Sequence, residues 1–213
     1  MTQAALEDLA RDHHLALFGA LALTPKDKLG DGTLFLLGPH EPGFWHHVTA
    51  QSEFKDKAPN PLDRWSKRVI DAMAAALGGT AAYPFGAPLR PFMTWALRSG
   101  RAWSSPVGIL VHNQAGLMVS YRGAIALPVE TQNTEDLRPC DRCTDQPCRT
   151  ACPASALTPA GYDVPACHTF LDTPPGTEIC LAKGCAVRRS CPAGAGYGRI
   201  EAQSAYHMRL FHK

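Results

Sequence analysis

CDRCTDQPCRTACP, residues 140–153, places four cysteines in fourteen positions and closes on a Cys-Pro pair. All eight cysteines of the 213-residue chain (Cys140, Cys143, Cys148, Cys152, Cys167, Cys180, Cys185 and Cys191) lie between positions 140 and 191, and the first 139 residues contain none. Such a cluster is either the disulfide framework of an exported domain or a set of thiolates gathered for metal or redox work. The N-terminal MTQAALEDLARDHH is polar and acidic and has no apolar h-region, which predicts a cytoplasmic protein with reduced thiols. The metal or redox reading follows. No run approaches the roughly 18 apolar residues of a membrane span, so no membrane association is expected. The net charge is +2 and the basic residues are scattered rather than gathered on one face, which disfavours a nucleic-acid partner.

The spacing runs C-x2-C-x4-C-x3-C-P, then Cys167, then C-x4-C-x5-C-P ending at Cys191-Pro192. It is similar to that of bacterial two-cluster ferredoxins, in which three close cysteines hold one iron–sulfur cube and the fourth, before proline, ligates the other. The similarity implies a first [4Fe-4S] cluster on Cys140, Cys143, Cys148 and Cys191, and a second on Cys152, Cys167, Cys180 and Cys185. No thiol is left over. Two structural Zn(Cys)4 sites compete with this reading, because C-x2-C is also a common zinc half-site. Zinc ribbons usually offer two such pairs, whereas this chain has one, and zinc leaves both Cys-Pro endings unexplained. A thiol cluster with no metal is a third reading. The x4 gap before Cys148 replaces the ferredoxin x2 and leaves open a three-iron or differently held first cluster.

The cysteine-rich part is too small to account for the chain. A two-cluster ferredoxin needs some 55–80 residues, so the preceding 130 or so form a domain of their own. We expect an α/β (α+β) domain over residues 1–128, a linker over 129–139, and a ferredoxin-like module over 140–213. Residues 2–14 read as a helix with Thr2 as its cap, followed by strands at 16–23 and 33–38. NPLDRWSKRVIDAMAAALGG is a helix with Asn60 placed to cap, Pro61 at the first position, an apolar stripe of Leu62, Trp65, Val69, Met73 and Leu77, and a stop at Gly78. LRPFMTWALRSG reads as a second amphipathic helix ended by Gly100. VGILVH and GLMVSYRGAIAL then read as two strands joined as a hairpin through Asn113–Gly116.

PLRPFMTWALRSGRAWSSPVGILVHNQAGLMVSYRGAIALP, followed by a polar linker and eight cysteines in the order four, one, two, one, resembles the core of epoxyqueuosine reductase. The resemblance spans roughly residues 60–192. That family is cobalamin-dependent, carries two [4Fe-4S] clusters, and shares a nitroreductase-like core with reductive dehalogenases and the eukaryotic B12-processing protein. The resemblance implies a nitroreductase-like mixed sheet, a corrinoid (cobalamin) ligand at the front domain, oxidoreductase activity of a cobalamin-linked kind, and a redox partner protein as electron donor. FMN is the alternative occupant, since the wider fold family includes flavin enzymes. Two departures weigh against queuosine chemistry on transfer RNA. The acidic residue the family places three positions before a proline is absent from Phe85-Gly86-Ala87-Pro88, and the chain stops at Lys213 without the helical-repeat extension. GLGDG and ALGGTAA lack the strand–glycine–helix context of a dinucleotide fingerprint.

Few single residues stand out beyond the cysteines. Tyr121 and Arg122, in VSYRGA, are candidates to line a corrinoid or flavin pocket, with Arg122 holding an amide or phosphate; the bland alternative is an ordinary strand pair, one residue in and one out. His46 and His47 diverge on either a strand or a helix, so joint ligation is awkward. Trp65, Trp95 and Trp103 fit core stripes, Asp63 complements a helix N-terminus, and Tyr206, His207, Arg209 and His212 belong to an ordered surface helix near the C-terminus. Two functions follow: a cluster-fed redox enzyme of the corrinoid-handling kind, or a non-enzymatic electron carrier whose front domain docks a partner.

Overall fold

TLFLLGP, residues 33–39, is apolar without alternation, and all seven of its residues are buried. A strand of that kind needs partners on both edges and cover on both faces. The computed structural model, which describes residues 3–130, 136–158 and 161–212, supplies them. The elements in chain order are α1 (Gln3–Asp12), β1 (Leu15–Ala22), β2 (Thr33–Pro39), α2 (Phe44–Thr49), α3 (Ser52–Lys55), α4 (Pro61–Ala76), β3 (Thr80–Ala82), α5 (Phe92–Arg98), β4 (Ala102–Ser104), β5 (Leu110–His112) and β6 (Gly123–Leu127). Strand β2 lies between β1 and β6 in an antiparallel sheet of order β1-β2-β6-β3, and α4 packs on β3 and β6. The fold is mixed α+β with a small antiparallel sheet.

Local chemistry explains the irregularities. Register slips between Leu17 and Ala20, a bulge containing Gly19 at φ 139°, where a Cβ would lie 2.6 Å from Ser99. At Gly38 a Cβ would fall 2.3 Å from the Phe18 ring, so a glycine in the central strand admits the aromatic. Helix α4 buries Leu62, Trp65, Val69 and Met73 as its period requires, together with Ser66, whose Oγ donates to the Leu62 carbonyl at 2.8 Å. Its start differs from expectation: Asn60 is left-handed (φ 53°) and makes no side-chain cap, so the helix begins on Pro61, whose fixed φ is already helical. Gly78, at φ 61°, ends it as expected, with the Gly79 N–H donating back to the Ala74 carbonyl. Thr2, the expected cap of α1, lies outside the described residues, as do residues 131–135 of the expected linker.

The expected hairpin is not formed. Strand β5 turns back through Ser105-Pro106-Val107-Gly108, where the Gly108 N–H donates to the Ser105 carbonyl at 3.0 Å, and pairs with β4. Proline at the second turn position and glycine at the fourth make that turn locally favourable. Beyond it, Asn113–Gly116 closes only a single bridge between His112 and Gly116, and the chain is not strand again until Gly123, which starts β6 beside β2 and β3. The chain accordingly groups into two compact units that alternate along the sequence instead of dividing near residue 128. One comprises Met1–Arg101 and Ser120–Asp136, the other Ala102–Val119 and Leu137–Lys213.

The second unit adds β7 (Leu157–Thr158), β8 (Gly161–Tyr162), α6 (Val164–Leu171) and α7 (Pro174–Gly176), which runs into a π-helical turn, Thr177–Leu181, and then α8 (Ala186–Arg189) and α9 (Glu201–Phe211). Its small core is Val107, Val111, Leu117, Cys148, Leu157 and Val187, with Trp103, Cys140, Cys152, Cys185 and Cys191 packed against it. Trp65 and Trp95 are fully buried in the first unit, whereas Trp103 is only partly so. Among the described residues no helix is long and apolar enough to cross a membrane.

Candidate metal centre

Turns and helix ends place the thiols. The segment Pro139–Arg142 is a 3-10 turn, closed by the Cys143 N–H donating to the Cys140 carbonyl at 3.3 Å. A second, Pro147–Arg149, presents Cys148 after a left-handed Gln146. Cys152-Pro-Ala-Ser and Cys191-Pro-Ala-Gly repeat one device: the cysteine carbonyl accepts from the N–H three residues on, at 3.0 Å from Ser155 and 3.1 Å from Gly194. Proline fixes φ at the second position of each turn, which accounts for both Cys-Pro pairs as backbone geometry. Cys167 lies on α6, capped by Asp163, which accepts from the Ala166 N–H at 2.9 Å. Cys180 lies in the π-helical turn, and Cys185 stands at the start of α8.

The thiols act on one another in two sets that share no member. Burial pushes the Cys140 thiol above its ordinary pKa, and Cys191, Cys148 and Cys143 add to the rise while Arg138 opposes it. Cys148 is raised by burial and then by Cys191 and Cys143. In the other set Cys167 is raised by burial and by Cys185 and Cys152, with a hydrogen bond from Tyr162 opposing. Cys180 is raised by burial and by Cys185 and Cys167. Buried or partly buried thiols raised in this way, Cys140, Cys148, Cys167 and Cys180, ionise more readily beside a cation, so any metal loading there should release protons and weaken in acid.

Cys140, Cys143, Cys148 and Cys191 all line one cavity of about 410 Å³, together with Ser105, Val111 and Leu117. Thr144, Asp145, Gln146 and Pro147, the four residues of the lengthened gap, form part of its wall. Among the described residues no group of three or more His, Cys, Asp or Glu side chains is placed so that it could hold a metal ion as it stands. Opposite Cys191 the backbones nearly touch: a Cβ on Gly116, itself at φ 53°, would lie 2.4 Å from the Gly194 nitrogen. His112, fully buried, shapes that loop through Nδ1, which accepts from the backbone N–H groups of Gln114 and Ala115 at 3.2 and 3.3 Å.

No family model matches this chain, and no curated protein sequence matches it either. The site is therefore read from its own residues.

Gly116→Ala should strain both chain segments at once, by about 1–3 kcal/mol, and displace the turn that presents Cys191. Any metal bound by Cys140, Cys143, Cys148 and Cys191 should then be stripped faster by a chelator, with any metal bound by Cys152, Cys167, Cys180 and Cys185 little changed. Equal stripping rates in variant and wild type would show that this backbone contact does not support the site.

The remaining candidates fall in the first unit. Tyr121 is 8% exposed and packs edge-on to Phe18 and at a tilt to Phe92, with ring centroids 6.2 and 6.3 Å away; burial pushes its hydroxyl far above the usual phenol range. Arg122 donates through Nε to the Tyr121 carbonyl at 3.0 Å and pairs with Asp63 at 3.5 Å. Burial nonetheless raises Asp63, the nearby arginine only opposing it. His46 and His47 lie on α2 and diverge: His46 is exposed, while His47 turns toward His14 (ring centroids 4.8 Å apart) and His13 (6.4 Å). Sequence reasoning did not single out Tyr162, whose Oη donates to Cys167 Sγ at 3.3 Å, or Arg188, which donates to the Leu117 carbonyl. Neither carries a motif; only the folded chain brings them to the thiols.

Proposed function

We propose that this chain is an iron–sulfur redox protein whose cysteine-rich unit is a ferredoxin-like module for two [4Fe-4S] clusters. The observation that supports the reading is the eight-cysteine spacing, together with a cavity of about 410 Å³ that Cys140, Cys143, Cys148 and Cys191 all line. Two Zn(Cys)4 sites are the competing reading, and the single C-x2-C pair in this chain counts against them. A cube of iron and sulfide spaces its thiolates around a body of several atoms, which fits ligands that line a cavity. When bound, such clusters supply one-electron transfer at potentials set by their surroundings. The protein's own part is to hold the thiolates, shield them within the Val111, Leu117 and Val187 core, and aim hydrogen-bond donors at the sulfurs.

The front unit, on this reading, is nitroreductase-like, and the electrons serve a cofactor or substrate there, a corrinoid first and a flavin second, in a reductase of the cobalamin-processing kind. A corrinoid would bring a cobalt centre that must be strongly reduced, which low-potential cubes can supply through a redox partner's electrons. Tyr121 and Arg122 do not present themselves for that role, one sealed among Phe18 and Phe92 and the other engaged with Asp63. That favours the second reading, a non-enzymatic electron carrier whose front unit docks a partner.

Anaerobic purification, with iron and sulfide counted and spectra taken before and after hydroxocobalamin and dithionite, tests both. About eight irons and eight sulfides per chain are expected. A shifted, reducible corrinoid spectrum selects the reductase, no corrinoid response selects the carrier, and zinc in place of iron overturns the cluster assignment.

A further inference from the structure

The foursome of Cys152, Cys167, Cys180 and Cys185 is set among donors and positive charge. The Ala156 N–H donates to Cys152 Sγ at 3.2 Å, the Tyr162 hydroxyl to Cys167 Sγ at 3.3 Å, and the Ala186 N–H to Cys180. Tyr162 is fixed by stacking on Phe211 of α9, with ring centroids 6.0 Å apart and planes 15° from parallel. Arg188, half-buried three residues beyond Cys185, donates to the Leu117 carbonyl, and its charge acts on Cys185 and Tyr162. Around Cys140, Cys143, Cys148 and Cys191, Arg142 and Arg149 are exposed, and Arg138, half-buried like Arg188, sits 3.8 Å from Asp141. Water and salt screen such charges, and Asp145 on the cavity wall opposes them.

We propose that Tyr162 and Arg188 are positioning residues that raise the reduction potential of the group held by Cys152, Cys167, Cys180 and Cys185 above that of the group held by Cys140, Cys143, Cys148 and Cys191. The inference rests on the two-cluster reading. Each centre gains one electron from a low-potential donor and no bond or proton moves. The added negative charge falls largely on the sulfurs, so a hydroxyl donor and a poorly solvated guanidinium stabilise the reduced state more than the oxidised one. An electron arriving at the Cys140 foursome then runs downhill to the Cys152 foursome.

The test is an anaerobic, EPR-monitored titration with dithionite of the full chain, in wild type, Tyr162→Phe, Arg188→Gln and Arg188→Lys, with iron counted in each. Wild type should show two one-electron steps. Tyr162→Phe removes only a hydroxyl from a side chain 40% exposed, so it should keep its iron. It should lower the higher step alone, changing the reduced-to-oxidised ratio at fixed poise about tenfold, or 59 mV. Arg188→Gln should lower the same step, and Arg188→Lys should restore part of the shift. Eight irons with both potentials unmoved in Tyr162→Phe, or a shift in the lower step, overturns the inference and leaves the cluster reading standing. A wild-type chain without iron overturns both. If Arg188→Gln does not fold, the Tyr162→Phe result decides.

Discussion

On the proposed two-cluster assignment, Cys191→Ser should purify with about four irons and four sulfides per chain in place of about eight, and Cys152→Ser should show the same loss from the other set. Serine keeps the shape but replaces a soft thiolate with a hard, poorly ionised hydroxyl. Cys191 shares its cavity with Cys140, Cys143 and Cys148, although some forty residues separate it from them in sequence. Cys152 stands in the first cysteine run yet acts on Cys167 of the second. Each therefore ties two distant segments together, and losing one should also loosen the small core against which both pack. The two variants should lose different EPR signals. Full iron and sulfide in both would overturn the pairing.

Asp27→Ala should destabilise the first unit by about 2–4 kcal/mol and lower its midpoint of thermal unfolding by roughly 5–15 °C. The carboxylate is 5% exposed and binds four groups from two parts of the chain. Oδ2 accepts from the backbone N–H and hydroxyl of Thr24, both at 2.8 Å; Oδ1 accepts from Trp95 Nε1 at 2.7 Å and from Arg98 at 2.8 Å. Alanine leaves a buried indole N–H and a largely covered guanidinium without their acceptor, which costs more than the bonds themselves contribute. Burial alone would raise this carboxyl, but the bonds from Arg98, Thr24 and Trp95 outweigh it and hold the pKa well below the usual range. The folded chain thus binds its proton later than the unfolded one, and the stabilisation is complete above the unfolded pKa of about 3.9 and fades as pH falls toward the folded value. Glu53, held by Arg68 at about 2, loses its contribution in the same direction. Circular-dichroism melts at pH 7 and pH 3 check this: the gap between wild type and Asp27→Ala should narrow in acid, and an equal gap at both would mean that packing, not charge, carries the effect.

Much of the first unit is legible locally. Helix α4 can be read from a period that returns Leu62, Trp65, Val69 and Met73 to one side and from Gly78, because periodicity and glycine's left-handed backbone act within a turn or two. The hairpin misreading shows where that ends. VGILVH has the composition of a strand, but composition does not name its partner, and the Ser105–Gly108 turn sends it back to Ala102–Ser104. Tyr121 illustrates the same limit at the site: as a residue it suits a pocket as well as a core, and only the arrival of Phe18 and Phe92 seals it.

The sequence by itself determined that all eight thiols fall between positions 140 and 191 and that two Cys-Pro turns close within four residues, because both are local features of the chain. Tertiary structure alone decided what surrounds them. Gly116 reaching Gly194, Tyr162 donating to Cys167 and the shelter around Arg188 depend on packing between segments with no local signature, and it is this packing that sets the electrostatics of each site.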